Sequence, residues 1–87
     1  FDLHQTHVVA LARPMPPADL DALINGLPQR FPGRTIARAK AIVELTDHAG
    51  VRTVLVQGVG TRWDVTPLFD HEHRSPTDLV VITVDGD

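Results

Sequence analysis

The chain has 87 residues, 43% of them hydrophobic and 22% charged, the profile of one ordinary globular domain with room for a modest core. Its formal net charge of -3 weighs against a general nucleic-acid binder, which carries a basic excess, and its lack of cysteine excludes a disulfide scaffold and any thiolate metal site. No run approaches the roughly 20 apolar residues that span a bilayer, so neither nucleic acid nor a membrane is an expected partner.

A cysteine-free chain fits a reducing compartment, and a cytoplasmic location is expected. The first residue is Phe1, with no charged and then apolar leader after it, so the sequence is expected to be a piece of a longer protein.

Gln5 to Ala12, "QTHVVALA", is short, rich in β-branched residues and bounded by Pro14, which predicts a strand. Pro16 and Pro17 suit a helix entry, and Asp19 and Asp21 suit its positive end. Leu20, Leu23, Ile24 and Leu27 form one apolar stripe at helical spacing, and Pro28 is expected to stop the helix. Gly26 inside that pattern costs about 1 kcal/mol relative to Ala. "FPGR" (Phe31 to Arg34) predicts a turn.

Thr35 to Leu45 alternates as a long strand, and "TDHAG" (Thr46 to Gly50) carries hairpin turn chemistry. Arg52 to Val59 is its partner strand, with Gly58 and Gly60 expected to mark a bulge or bend. Thr61 to Leu68 sets Trp63 and Val65 against Arg62, Asp64 and Thr66, a further strand. Phe69 to Asp78 is polar and predicts a loop, and Leu79 to Val84, apolar throughout, predicts a buried central strand. The order β-α-β-β-β-β implies an α+β domain: an antiparallel sheet of four to five strands with one amphipathic helix packed on one face.

Within "ARAKAIVEL" (Ala37 to Leu45) the alternation separates two faces. Ala37, Ala39, Ala41, Val43 and Leu45 are expected to face the helix, their small size allowing close approach of its stripe. Arg38, Lys40 and Glu44 then lie on the opposite face, which no second helix in the sequence is available to cover. On physics alone that face is an ordinary solvated one.

Three segments carry a family resemblance. "RAKAIVEL" (Arg38 to Leu45), "VLVQGVGTRWDV" (Val54 to Val65) and "DLVVITV" (Asp78 to Val84), in this order and spacing, resemble the C-terminal domain of the CobW family of P-loop GTPases. The early strand and the helix behind a double proline match as well. Ala41 and Thr83 stand where that family commonly has Gly, and relatives often continue into a helix beyond the position of Asp87.

The resemblance implies a role in metal homeostasis or cobalamin cofactor metallation, beside an N-terminal GTPase domain of the same chain that would hold GTP and metal. The phosphate-binding Gly-x-x-x-x-Gly-Lys-Ser/Thr loop does not occur here. The chain is therefore expected to be a non-catalytic accessory domain, without a cofactor of its own. It would present Arg38, Lys40, Gln57 and Arg62 to the GTPase domain or to a metalloprotein client. Two alternatives belong to other classes: a metal- or small-ligand-binding domain, and a module that buries its open face on a copy of itself as a homo-oligomer.

Five histidines raise the metal question directly. In an extended loop His71 and His73 project to one side, with Asp70 or Glu72 as a neighbouring carboxylate, so both imidazoles could reach one zinc or cobalt ion. Without a third protein ligand the pair is a weak site, and loop histidines are ordinarily solvated. His4 and His7, three apart on a strand, are a poor chelating pair, and His48 stands in the hairpin turn. Carboxylates at Asp64, Asp70, Glu72 and Asp78 show no paired acid and base, and Trp63 is expected to pack in the core. If the His71–His73 site is real, calorimetric titration with zinc or cobalt should release heat that is lost in a His71→Ala/His73→Ala variant. Equal heats in the two proteins would exclude it.

Overall fold

One strand of 14 residues, β2 (Arg34–Asp47), runs through the centre of the molecule. At 3.3 Å per residue it is about 45 Å long, matching the longest dimension of 44 Å. The computed structural model describes residues 3–69 and 74–86. Around β2 stand β1 (Gln5–Val9), β3 (Gly50–Val59), β4 (Arg62–Pro67) and β5 (Leu79–Asp85), in the sheet order β1-β5-β2-β3-β4 with every neighbouring pair antiparallel. The chain is the α+β domain its residue pattern implies.

So long a strand must satisfy backbone groups along both edges. One edge pairs with β3 from Arg38 to Asp47. The other is shared among three partners. β5 takes Arg34 to Lys40. At Ile42 the N–H donates to Thr77 Oγ1 at 2.9 Å and the C=O accepts from Thr77 N–H at 2.9 Å. Beyond that, Met15 N–H donates to the Glu44 carbonyl and Thr46 N–H donates to the Met15 carbonyl, both at 2.9 Å. The expected strand from Gln5 to Ala12 therefore ends early, at Val9, because the chain leaves the sheet to reach the far end of β2; Leu11 N–H donates to Asp78 Oδ1 on the way.

The helix, α1 (Pro17–Gly26), has Pro17 in its first turn, where a missing N–H is harmless, and Asp19 near its positive end. Pro28 does not stop the helical path. The chain tightens into a 3-10 turn, Leu27–Arg30, with Pro28 in its first positions, and Leu27 N–H bonds the Ile24 carbonyl. The stripe packs as its spacing requires: Leu20 and Leu27 are buried, and Leu23 and Ile24 pack half-buried against the core. Beneath them lie Ala39, Ala41, Val43 and Leu45 of β2, Val54 and Val56 of β3, and Leu79 and Val81 of β5.

Ala37 departs from the expected alternation. The pairing of β2 with β5 shifts between Ile36 and Arg38, so Ala37 is the extra residue of a bulge and Ile36 packs against the core in its place. The bulge expected at Gly58 is absent, since Gly58 pairs regularly with Ala39 and Trp63. Glycine suits that position for another reason: a Cβ on Gly58 would stand 3.0 Å from the Trp63 ring, which lies across it and would have to shift. Gly60 serves the β3–β4 turn at φ +62.

Among the described residues one polar side chain is fully buried in this core. Thr83 of β5 accepts a hydrogen bond from Arg34 Nε at 2.8 Å and shares another with His7 Nε2 at 2.9 Å. Arg34 Nη2 donates to the carbonyls of Thr83 and Leu3, and the His7 ring packs 4.5 Å from Phe31. This node ties β1, β2, β5 and the chain after the 3-10 turn. Replacing Thr83 by Val keeps the shape but removes the hydroxyl that Arg34 Nε and His7 Nε2 share, a loss of about 1–3 kcal/mol. Chemical denaturation should show that loss for Thr83→Val and a much smaller one for Thr83→Ser.

Candidate functional site

The face of the sheet opposite α1 is assembled from rows that cross all five strands. Strand register puts Thr6, Ile82, Arg38, Val59 and Arg62 in one row. The next row is Val8, Val80, Lys40, Gln57 and Asp64. Ile42, Leu55 and Thr66 follow in a third. Because side chains alternate along each strand, all of these point away from the helix.

The middle of these rows forms an open groove of about 590 Å³. Arg38, Lys40, Gln57, Val59, Val80 and Ile82 line it, with Arg74 and Thr77 from the segment after the polar loop at one side. Ile42, where Thr77 bonds both backbone groups, is buried, but its neighbours are not: Val8 is 67% exposed, Val59 60% and Val80 40%. Apolar side chains and cations thus share one surface.

Of the four residues expected on a contact surface, Arg38, Lys40 and Gln57 stand together in the groove. Arg62 lies on the same face but outside it, on edge strand β4. His71 and His73 lie outside the described residues. Among the described residues no group of three His, Cys, Asp or Glu side chains could hold a metal ion. His7 is committed to Thr83 and Phe31.

Sequence reasoning overlooked the apolar half of the surface. "LVVITV" reads as a strand buried on both faces, yet only Leu79, Val81 and Thr83 are buried, while Val80 is exposed and Ile82 half-exposed. The available signal was the single predicted helix, which can cover one face of the sheet and leaves the alternate residues of this run on the other.

Charges divide in a way that isolates the groove. Arg13 pairs with Asp78, Arg34 with Asp85, Arg52 with Asp47 and Arg62 with Asp64. Arg30, Arg38, Lys40 and Arg74 form no ion pair among the described residues, and three of these four line the groove. The tightest pair is remote from it. At the β2–β3 hairpin Arg52 Nη1 donates to Asp47 Oδ2 at 2.6 Å, and Asp47 Oδ1 accepts from Ala49 N–H at 2.8 Å. The Arg52 hydrogen bond first, and the Ala49 N–H second, hold the Asp47 carboxyl below its ordinary value of 3.8.

These features define a small two-layer α+β domain with one covered and one open sheet face, the open one carrying unpaired cations among aliphatic side chains. The model of the family described as "Cobalamin synthesis protein cobW C-terminal domain" matches residues 4–87. The chain belongs to that family, a C-terminal domain of CobW-type proteins associated with cobalamin synthesis. No curated protein and no solved structure matches it.

The Asp47 geometry has a pH consequence. A carboxylate whose folded pKa is depressed stabilises the fold fully above its unfolded value and loses that contribution as pH falls through the lowered one. Titration of the Asp47 carboxyl by NMR should give a midpoint below 3.8, with protection of the hairpin amides declining through that midpoint. In Arg52→Gln the midpoint should move up.

Proposed function

We propose that this chain is the non-catalytic accessory domain of a CobW-type GTPase metallochaperone, acting in metal homeostasis or cobalamin cofactor metallation. Its open sheet face is the contact surface, either for the P-loop GTPase domain of the same protein or for a metalloprotein client. The observation that supports this reading is the groove itself, where Arg38, Lys40 and Arg74 stand without acidic partners among the described residues, beside exposed valines.

Charges arranged this way favour encounter and orientation with a complementary surface, and the aliphatic patch supplies the buried area. GTP and metal would reside in the GTPase domain, and this domain would couple that site to a partner. The Arg38 and Lys40 side chains project from the face and make no hydrogen bond or ion pair among the described residues, so their reversal should leave the fold intact. Titration of Arg38→Glu/Lys40→Glu against the GTPase domain of the same protein, with and without GTP, should show binding weakened about tenfold or more, or about 1.4 kcal/mol. Unchanged affinity in a variant with an unchanged melting curve would remove this face from the contact.

A further inference from the structure

We propose that the occupant of the open face is an amphipathic α-helix with an acidic flank, an inference that rests on reading this face as an interaction surface. Three observations specify it.

The first concerns the backbone. Within β5, β2 and β3 the N–H and C=O groups are used in the ladders on either side, so the face offers a partner only side chains. A segment laid across it must satisfy its own backbone hydrogen bonds, which a helix does and an extended strand does not.

The second is the apolar footing. Val8 and Val80 are paired neighbours, with Ile82 in the next row, and this strip over β1 and β5 is free of charge. It matches the single stripe that an amphipathic helix presents at i, i+3, i+4 and i+7.

The third is the charge beside that strip. Arg38 and Lys40, two residues apart on β2, project about 6.7 Å apart along its edge, and Arg74 stands over the same groove. Carboxylates at i and i+4 of a helix are about 6 Å apart along its axis, so one acidic flank can meet both cations while the stripe lies on the valines. The same charges disfavour a second copy of the chain. A two-fold stack of this face on itself would set Arg38, Lys40 and Arg74 against a surface carrying the same cations.

The test uses this 87-residue chain and a fluorescein-labelled designed peptide of about 18 residues, with a leucine stripe and glutamates at i and i+4 on one flank. Its control is a peptide of identical composition in permuted order. Fluorescence anisotropy should show saturable binding of the amphipathic peptide and binding at least tenfold weaker for the permuted one. Arg38→Glu/Lys40→Glu should weaken it at least tenfold and Val80→Ser severalfold. Arg30→Glu, which alters the unpaired cation outside the groove, should change nothing. Inorganic phosphate at 10 mM should not displace the peptide beyond the effect of an equal ionic strength of chloride.

The proposal is overturned by absence of saturable binding, by equal binding of the permuted peptide, or by indifference to Val80→Ser. Specific displacement by phosphate would make the groove a small-anion site instead, and a dimer dissociated by Arg38→Glu/Lys40→Glu would give the face to a second copy. The reading beneath it is judged separately. If the GTPase domain binds through Arg38 and Lys40 while the peptide does not bind, the contact surface stands and the helical occupant falls.

Discussion

The structure depends on satisfying both edges of β2. A 14-residue strand exposes more backbone than any single partner here can pair, since β5 has seven residues and β3 ten. The remaining groups recruit Thr77 and Met15, and the two pairs of bonds these make determine where the segments before the helix and before β5 must run. α1 is thereby delivered to one side of the sheet, and the segment carrying Arg74 to the other. Topology thus follows from backbone accounting as well as from the apolar stripe of the helix.

Once the helix is placed, the two faces of the same strands have different requirements. On the covered side, Ala39 and Ala41 leave room for Leu20 and Leu27, and Gly58 leaves room for Trp63, so close approach is bought by removing side-chain volume. On the open side nothing demands small residues, and the long side chains of Arg38, Lys40 and Gln57 extend from the positions between. The buried Thr83 node shows the cost of polarity on the covered side: one hydroxyl requires both His7 and Arg34 around it.

The open face is chemically mixed in a way that a solvated sheet surface is not. Four of the large apolar side chains left exposed, Val8, Val51, Val59 and Val80, are on it. Among the described residues Asp47 is held in the hairpin, Asp78 by Arg13, Asp85 by Arg34 and Asp64 by Arg62, and Glu44, on the same face, forms no ion pair with Arg38 or Lys40. In a chain of net charge -3, that distribution concentrates cationic character in one groove. Burial of such a surface against an acidic, partly apolar partner is the arrangement that its composition favours.

Periodicity alone determined the element order, the antiparallel α+β class, the helix stripe and the facing of Ala39, Ala41, Val43 and Leu45, because each is a local pattern with one physical solution. It also placed Arg38 and Lys40 on a common face, which the strand register extends to Gln57, and the quoted motifs led to the CobW C-terminal family. Only the tertiary structure decided the bulge at Ala37, the passage of the chain through Pro28 and the pairing of Met15 and Thr77 with β2, since each answers to a distant partner. It alone exposed Val80 and Ile82 and brought Arg74 over them. An apolar run such as "LVVITV" carries no mark of whether one face or both will be covered; that depends on how many helices the rest of the chain supplies.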